Sequence, residues 1–159
     1  MDLGGDLVGA EMNEPVFGEV PSESIAHPRR AAYLIATDEL GRVAVVEGLK
    51  NGSRRYWLPG GGCEAGESPE QAVEREVAEE LGRRVLATHR FAEAVQVSYS
   101  EADQCWFRSH MTFLSGTLGN RFGRRPEHDL TWLDPARMTR AMYHSSHVWA
   151  VEQFFRLKG

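Results

Sequence analysis

One stretch constrains this chain more than any other: Gly61 to Arg83, GGCEAGESPEQAVEREVAEELGR. It reads as a loop running into a helix whose two ends are both specified. Ser68 is placed to accept a backbone hydrogen bond as N-cap, Pro69 suits the first helical position, and Gln71 at the third completes a capping box. Gly82 can take the left-handed conformation that closes a helix. The predicted helix therefore covers residues 69–81, roughly 20 Å at about 1.5 Å per residue. On it Val73, Val77 and Leu81 form an apolar stripe, while Glu76, Glu79 and Glu80 share a neighbouring one. Like charges at this spacing repel, and a positive partner would relieve them. Carboxylate oxygens suit a hard divalent cation such as Mg²⁺, which keeps waters and takes further oxygens from a phosphate. Taken alone, the same segment also reads as an ordinary solvated helix face.

The residues upstream weigh against that plainer reading. Trp57-Leu58-Pro59-Gly60-Gly61-Gly62 is an apolar approach ending in three glycines, where the backbone can come close to a ligand. A phosphate-cradling P-loop is excluded, because no Gly-Lys-Ser/Thr follows. Glycine, five residues, Glu, seven residues, then Arg-Glu-aliphatic-x-Glu-Glu-x-Gly resembles the signature of the Nudix hydrolases. Gly61, Glu67, Arg75, Glu76, Val77, Glu79, Glu80 and Gly82 match it. Arg83 departs from it at a final aliphatic position, which leaves Val85 or Leu86 to fill the core.

The resemblance implies that Glu76 and Glu80 are ligands of catalytic Mg²⁺ or Mn²⁺, with Glu79 a further ligand or a base and the Gly60 carbonyl a backbone ligand. Arg75 then orients the site by pairing with Glu67 or a helix glutamate; otherwise it makes only an i,i+4 pair with Glu79. Glu67, Arg75, Glu76, Glu79 and Glu80 are thus the expected catalytic set. Gly61 and Gly62 are expected to approach the substrate, and Arg54 and Arg55, just upstream, can meet a phosphate chain or simply form a solvated turn.

At 159 residues with 42% apolar content the chain suits one domain over 15–159, preceded by a segment, 1–14, that reads as frayed. A formal charge of −5 argues against a general nucleic-acid binder. Cys63 and Cys105 form neither a metal pair nor a disulfide framework and read as packing residues, which fits a cytoplasmic setting. No signal peptide or membrane span is expected. A homodimer is compatible with the sequence but not specified by it.

Along the chain, Arg30 to Thr37 and Arg42 to Glu47 read as a hairpin around Asp38 to Gly41. Gly48 to Arg55 reads as a polar turn. Val85 to Ser100 and Cys105 to Leu118 read as long strands joined by an acidic turn, and Gly119 to His128 as a basic loop carrying Arg121, Arg124 and Arg125. Leu130 to Leu133 is a short strand and Ala136 to Met142 a short helix. A last helix, through Phe155, is expected to be capped by Ser145 or Ser146. This order predicts a mixed α+β fold, in agreement with the αβα sandwich that the resemblance implies; FGE, YLIATDELGRVAVVEG and SHVWAVEQFF resemble a bacterial, MutT-like subgroup.

Several other residues have two readings. Glu127 or Asp129 can supply an extra carboxylate. Tyr99, Trp106 and Phe107 are expected in the core, with stacking on a base as the alternative. His144 and His147, at i,i+3, read as flanking a helix start rather than as metal ligands, and Glu93 can face either the site or solvent. The Arg121–Arg125 loop either closes over a ligand or faces water.

The function expected is Mg²⁺-dependent pyrophosphohydrolysis of a small nucleotide: a nucleoside diphosphate linked to a further group, attacked by water. A triphosphate would give monophosphate and pyrophosphate. Oxidised nucleotides such as 8-oxo-dGTP lead the candidates, followed by (d)NTPs, ADP-ribose and dinucleoside polyphosphates. A nucleotide-sensing domain without turnover and a purely structural cation site are the competing classes.

Overall fold

The computed structural model describes residues 14–123 and 125–159. The segment expected to fray lies outside them except for Glu14, as does Arg124. In chain order the elements are β1 (Val16–Phe17), β2 (Ala26–Ile35), β3 (Val43–Lys50), β4 (Ser53–Trp57), β5 (Gly60–Gly62), α1 (Pro69–Leu81), β6 (Arg83–Ser100), β7 (Cys105–Arg121) and β8 (Leu130–Leu133). A 3₁₀ turn, Pro135–Arg137, then leads into α2 (Met138–Ala141) and α3 (Ser145–Lys158).

Five strands form a mixed sheet in the order β1-β6-β7-β2-β5, and β4-β3-β8 form a smaller antiparallel one. The apolar run AAYLIA explains the centre of the fold. A strand buried on both faces needs apolar residues without alternation. Ala31, Tyr33 and Ile35 of β2 pack in one cluster with Ala150 and Val151 of α3, while Ala32, Leu34 and Ala36 pack in another with Ala72, Val73, Val77 and Leu81 of α1. The larger sheet therefore lies between α1 and α3, and each fully buried Leu, Ile or Val contributes roughly 1.5–3 kcal/mol. Among the described residues, no helix is long and apolar enough to cross a membrane.

Four local expectations are corrected. β2 and β3 meet only at the turn, through the Thr37–Val43 bridge, and then diverge into different sheets. The reason is competition: β2 pairs along ten positions with parallel β7, from Ala26–Trp106 to Ile35–Ser115. Gly48 to Arg55 is not a turn either. β3 continues to Lys50 and pairs with β4, leaving only Asn51-Gly52 as a tight turn, with φ of 51° and 78°. The cap of α3 is His144, whose side chain makes no capping bond; the Ser146 N–H is satisfied instead by Gln96 Oε1, 3.1 Å away on β6. The basic loop is also shorter than expected, because β7 continues to Arg121. At the Arg83 departure, Val85 packs against the α1-side cluster with Leu118, while Leu86 is exposed.

Candidate active site

Both ends of α1 are set by local chemistry. Ser68 Oγ accepts from Gln71 N–H (3.1 Å) and Gln71 Oε1 accepts from Ser68 N–H (2.9 Å), closing the capping box. Gly82, at φ 62°, donates to the Ala78 carbonyl across 3.0 Å. With Val73, Val77 and Leu81 buried in the core, the helix cannot rotate, and its glutamates are turned toward β5.

The β5 glycines alternate between the two faces of the sheet, and two of them are required by close approach. A β-carbon on Gly60, which sits at φ 142°, would lie 2.1 Å from the Ala32 carbonyl oxygen. One on Gly61 would lie 2.8 Å from Glu76 Oε1, on the α1 side. The Gly60 N–H donates to Glu80 Oε1 across 2.9 Å. Strand and helix thus meet through the two carboxylates Glu76 and Glu80.

Arg75 ties the intervening loop to this junction. Its Nε and Nη2 donate to the two Glu67 oxygens at 2.8 and 2.9 Å, and Nη2 also donates to the Gly62 carbonyl at 3.0 Å. Nη1 donates to Glu76 Oε1 at 3.0 Å and lies 3.5 Å from Glu79. The Arg75 fork holds the Glu67 carboxyl down at about 2, and the same bonds raise the pKa of Arg75. Arg75 therefore joins loop, strand and helix rather than making only an i,i+4 pair.

The helix carboxylates sit in opposed fields. Burial pushes Glu80 up to about 8 despite the Gly60 hydrogen bond, and Glu76, Glu127 and Glu79 push it the same way. Burial also raises Glu76, with Arg75 opposing and Glu79 and Glu127 adding to the rise. These are oxygen donors crowded by like charge, the environment that a hard divalent cation relieves, so the donor set fits Mg²⁺ or Mn²⁺. The set is not drawn tight. Among the described residues, the three ligand-type side chains whose donor atoms all lie within 4.8 Å of one another are Glu14, Glu93 and His110. In the signature set, by contrast, Glu80 is engaged by Gly60 and Glu76 by Arg75. Behind β5, Tyr33 stays a neutral phenol: burial pushes it up to about 12, with Arg29 opposing and Glu80 and Glu76 adding.

The remaining candidates divide. Arg54 forms an ion pair with Glu47 across the β3–β4 hairpin, and Arg55 donates to the Arg140 carbonyl at 2.9 Å, so both have structural partners. Glu127 comes to the site, because its N–H and that of His128 donate to the Glu79 and Glu80 carbonyls at 3.2 and 2.8 Å, folding the loop over the end of α1. Arg121 and Arg125 are exposed. Glu93 faces His110 and Glu14, in the cluster described above. Tyr99, Trp106 and Phe107 are not in the core: Tyr99 packs edge-on to Trp106, and Phe107 lies under the Arg29 guanidinium. Cys63 packs against the α1-side cluster, and Cys105 is half-buried.

His147 is fully buried, with Nδ1 accepting from the Leu58 N–H at 3.2 Å. His144 is held down at about 4 by burial first, then by Arg29 and Lys50. Arg29, Lys50 and Tyr143 were not candidates from sequence. Their proximity depends on three separated segments meeting, and no local spacing marks it.

The comparisons with known proteins agree with this architecture. The family model described as the NUDIX domain matches residues 27–154. A NUDIX hydrolase from Nitrosomonas europaea superposes with a TM-score of 0.66 at 17% identity, covering 82% of this chain and 90% of that one. A MutT NUDIX hydrolase from Burkholderia pseudomallei gives 0.57 at 22%, covering 80% and 98%. A structure described as UDP-X diphosphatase gives 0.57 at 17%, covering 99% and 74%. No curated protein matches the sequence significantly.

Proposed function

The chain belongs to the Nudix family of hydrolases, which act on nucleoside diphosphate derivatives, and on that premise we propose that it is a Mg²⁺-dependent pyrophosphohydrolase of small nucleotides. The observation that carries this reading is the junction of Glu80 with Gly60 and of Glu76 with Gly61, braced by Arg75. Glu76 and Glu80, with Glu79 and the Gly60 carbonyl beside them, would hold Mg²⁺ or Mn²⁺, and Glu127 is the further carboxylate within their field. The bound metal would lower the pKa of water and neutralise charge on the phosphates.

The protein's own part is positional. Arg75 holds Glu67 and Glu76 at fixed places, so that little ordering remains for the ligand to impose. The bare glycine backbone of Gly61 and Gly62 lets a phosphate approach without side-chain collision. Glu79, exposed more than Glu76 and close to Arg75, is the proposed acceptor of the proton from water. The proposed reaction on a nucleoside triphosphate gives a monophosphate and pyrophosphate, with oxidised or ordinary (d)NTPs placed ahead of ADP-ribose and dinucleoside polyphosphates. Two free thiols, Cys63 and Cys105, favour a cytoplasmic setting. The homodimer compatible with the sequence is a proposal for sedimentation to test.

Pyrophosphate release across a nucleotide panel with Mg²⁺ and Mn²⁺ tests the function. Metal-dependent turnover supports it. Nucleotide binding without turnover supports the sensing-domain reading, and metal-dependent melting without either supports a structural cation site.

A further inference from the structure

The chain reaches the glycines of β5 along a strap, Tyr56 to Gly60, and each residue of it is tied to a neighbouring segment. The Tyr56 carbonyl accepts from the Tyr143 N–H at 2.9 Å, and Trp57 packs on the Tyr143 ring at 5.2 Å. The Pro59 carbonyl accepts from the Leu34 N–H at 2.8 Å, and the Gly60 N–H donates to Glu80 Oε1. Leu58, fully buried at the middle of the strap, donates its N–H to His147 Nδ1 across 3.2 Å. The Tyr56 and Pro59 bonds join backbone to backbone. Among the described residues, the His147 bond is thus the one hydrogen bond fixing the strap upstream of Gly60 that depends on the identity of a side chain.

His147 is placed to hold that position. It lies in the first turn of α3, one residue after Ser146, whose N–H is fixed to β6 by Gln96 Oε1 at 3.1 Å. Its imidazole is fully buried, with the Tyr33 ring at 4.3 Å, His144 at 5.0 Å and Phe113 at 5.9 Å. Burial first, then His144, keeps it neutral. An accepting Nδ1 puts the ring proton on Nε2, which has no hydrogen-bond partner among the described residues. A buried donor left unpaired is a cost, so packing alone would be served better by an apolar side chain. What the imidazole supplies, and Leu or Phe could not, is the acceptor for Leu58.

We infer that His147 is a positioning residue for the metal site: by fixing Leu58 it sets where Gly60 meets Glu80, and so how tightly the helix glutamates hold a divalent cation. For the cation itself this rests on the hydrolase reading above. It places a control of that site on α3, outside the signature stretch.

The test is Mn²⁺ binding to the full chain, followed by the electron paramagnetic resonance of the free ion, beside thermal melts and nucleotide turnover. His147→Leu keeps bulk and removes the acceptor, whereas His147→Asn puts an amide oxygen near the place of Nδ1. Val151→Ala opens a cavity in the same helix and leaves the Leu58 bond in place. His147→Leu should weaken Mn²⁺ by about tenfold to a hundredfold, the effect of losing a group that positions metal ligands. His147→Asn should recover most of that affinity although it packs less well, and Val151→Ala should lower the melting temperature with the affinity unchanged. Amide exchange followed by NMR should find the Leu58 N–H protected in the wild type and in His147→Asn, but fast in His147→Leu. If the Leu variant does not fold, His147→Gln, whose amide reaches the Nε2 position instead, takes its place and should weaken Mn²⁺ likewise. Affinity that follows the melting temperature across the variants, or is equal in all of them, would overturn the positioning role, while turnover by the wild type would leave the hydrolase reading intact. Turnover of no nucleotide, with Mn²⁺ affinity that still depends on the acceptor for Leu58, removes the hydrolase reading and keeps His147 as the positioning residue of a cation site.

Discussion

Glu80 carries the largest electrostatic tension among the helix glutamates. Its carboxyl is pushed from the ordinary 4.5 up to about 8, mainly by burial. Between those values the folded protein retains a proton that the unfolded chain releases, so stability contributed at low pH is lost as pH rises through that window. In EDTA the melting temperature should therefore fall from about pH 5 to about pH 8, by an amount equivalent to a few kcal/mol. Mg²⁺ should flatten the slope by stabilising the carboxylate. Glu80→Gln should flatten it without metal, and an unchanged slope in that variant would assign the pH dependence to another group. Arg75 offers a second check. Arg75→Gln leaves Glu76 without its donor and Glu67 with the Glu64 N–H alone, and should cost about 1–3 kcal/mol in urea melts. It should also raise the Mg²⁺ concentration for half-maximal turnover by roughly tenfold to a hundredfold. Loss of stability with an unchanged metal requirement would make Arg75 a structural brace only.

At the scale of elements, β5 and α1 form one device, and two neighbouring glycines should respond differently to the same substitution. In Gly60→Ala the new methyl meets backbone, the Ala32 carbonyl at 2.1 Å, and cannot be accommodated without moving the strand. In Gly61→Ala it meets the movable end of Glu76. Thermal melts should show a large loss for Gly60→Ala, and kinetics a large loss for Gly61→Ala with a melting temperature near that of the wild type. The reverse pattern would contradict the described packing. α1 was legible to its ends because Ser68, Pro69, Gln71 and Gly82 act within a few residues of one another. The β2–β3 hairpin was misread because its outcome depends on β7, about 80 residues away, taking the edge of β2 that a hairpin partner would have used. The α3 cap was misread for a similar reason: Gln96 on β6 supplies the acceptor that Ser145 or Ser146 was expected to provide.

For the whole molecule, the apolar run of β2 and the acidic stripe of α1 together determine the plan: a sheet covered on both faces, with an edge strand of glycines against carboxylates. The signature residues were legible because loop, strand and helix follow one another in the chain. Arg29, Lys50 and Tyr143 were not, since β2, the end of β3 and the approach to α3 meet only after folding. Arg54 and Arg55 looked promising by proximity in sequence, yet cross-strand pairing with Glu47 and a bond to Arg140 give them structural partners. With a formal charge of −5, the proposed polyanionic substrate would have to be received through local cations and the proposed metal. The most direct measurement is dGTP hydrolysis against Mg²⁺ concentration in the wild type and Glu80→Gln, separating dGMP and pyrophosphate by chromatography. Metal-dependent formation of both products is expected in the wild type, with kcat lower by about two to four orders of magnitude in a Glu80→Gln variant that still melts cooperatively. Equal turnover by the two proteins, or turnover that persists in EDTA, would contradict a metal held by Glu80.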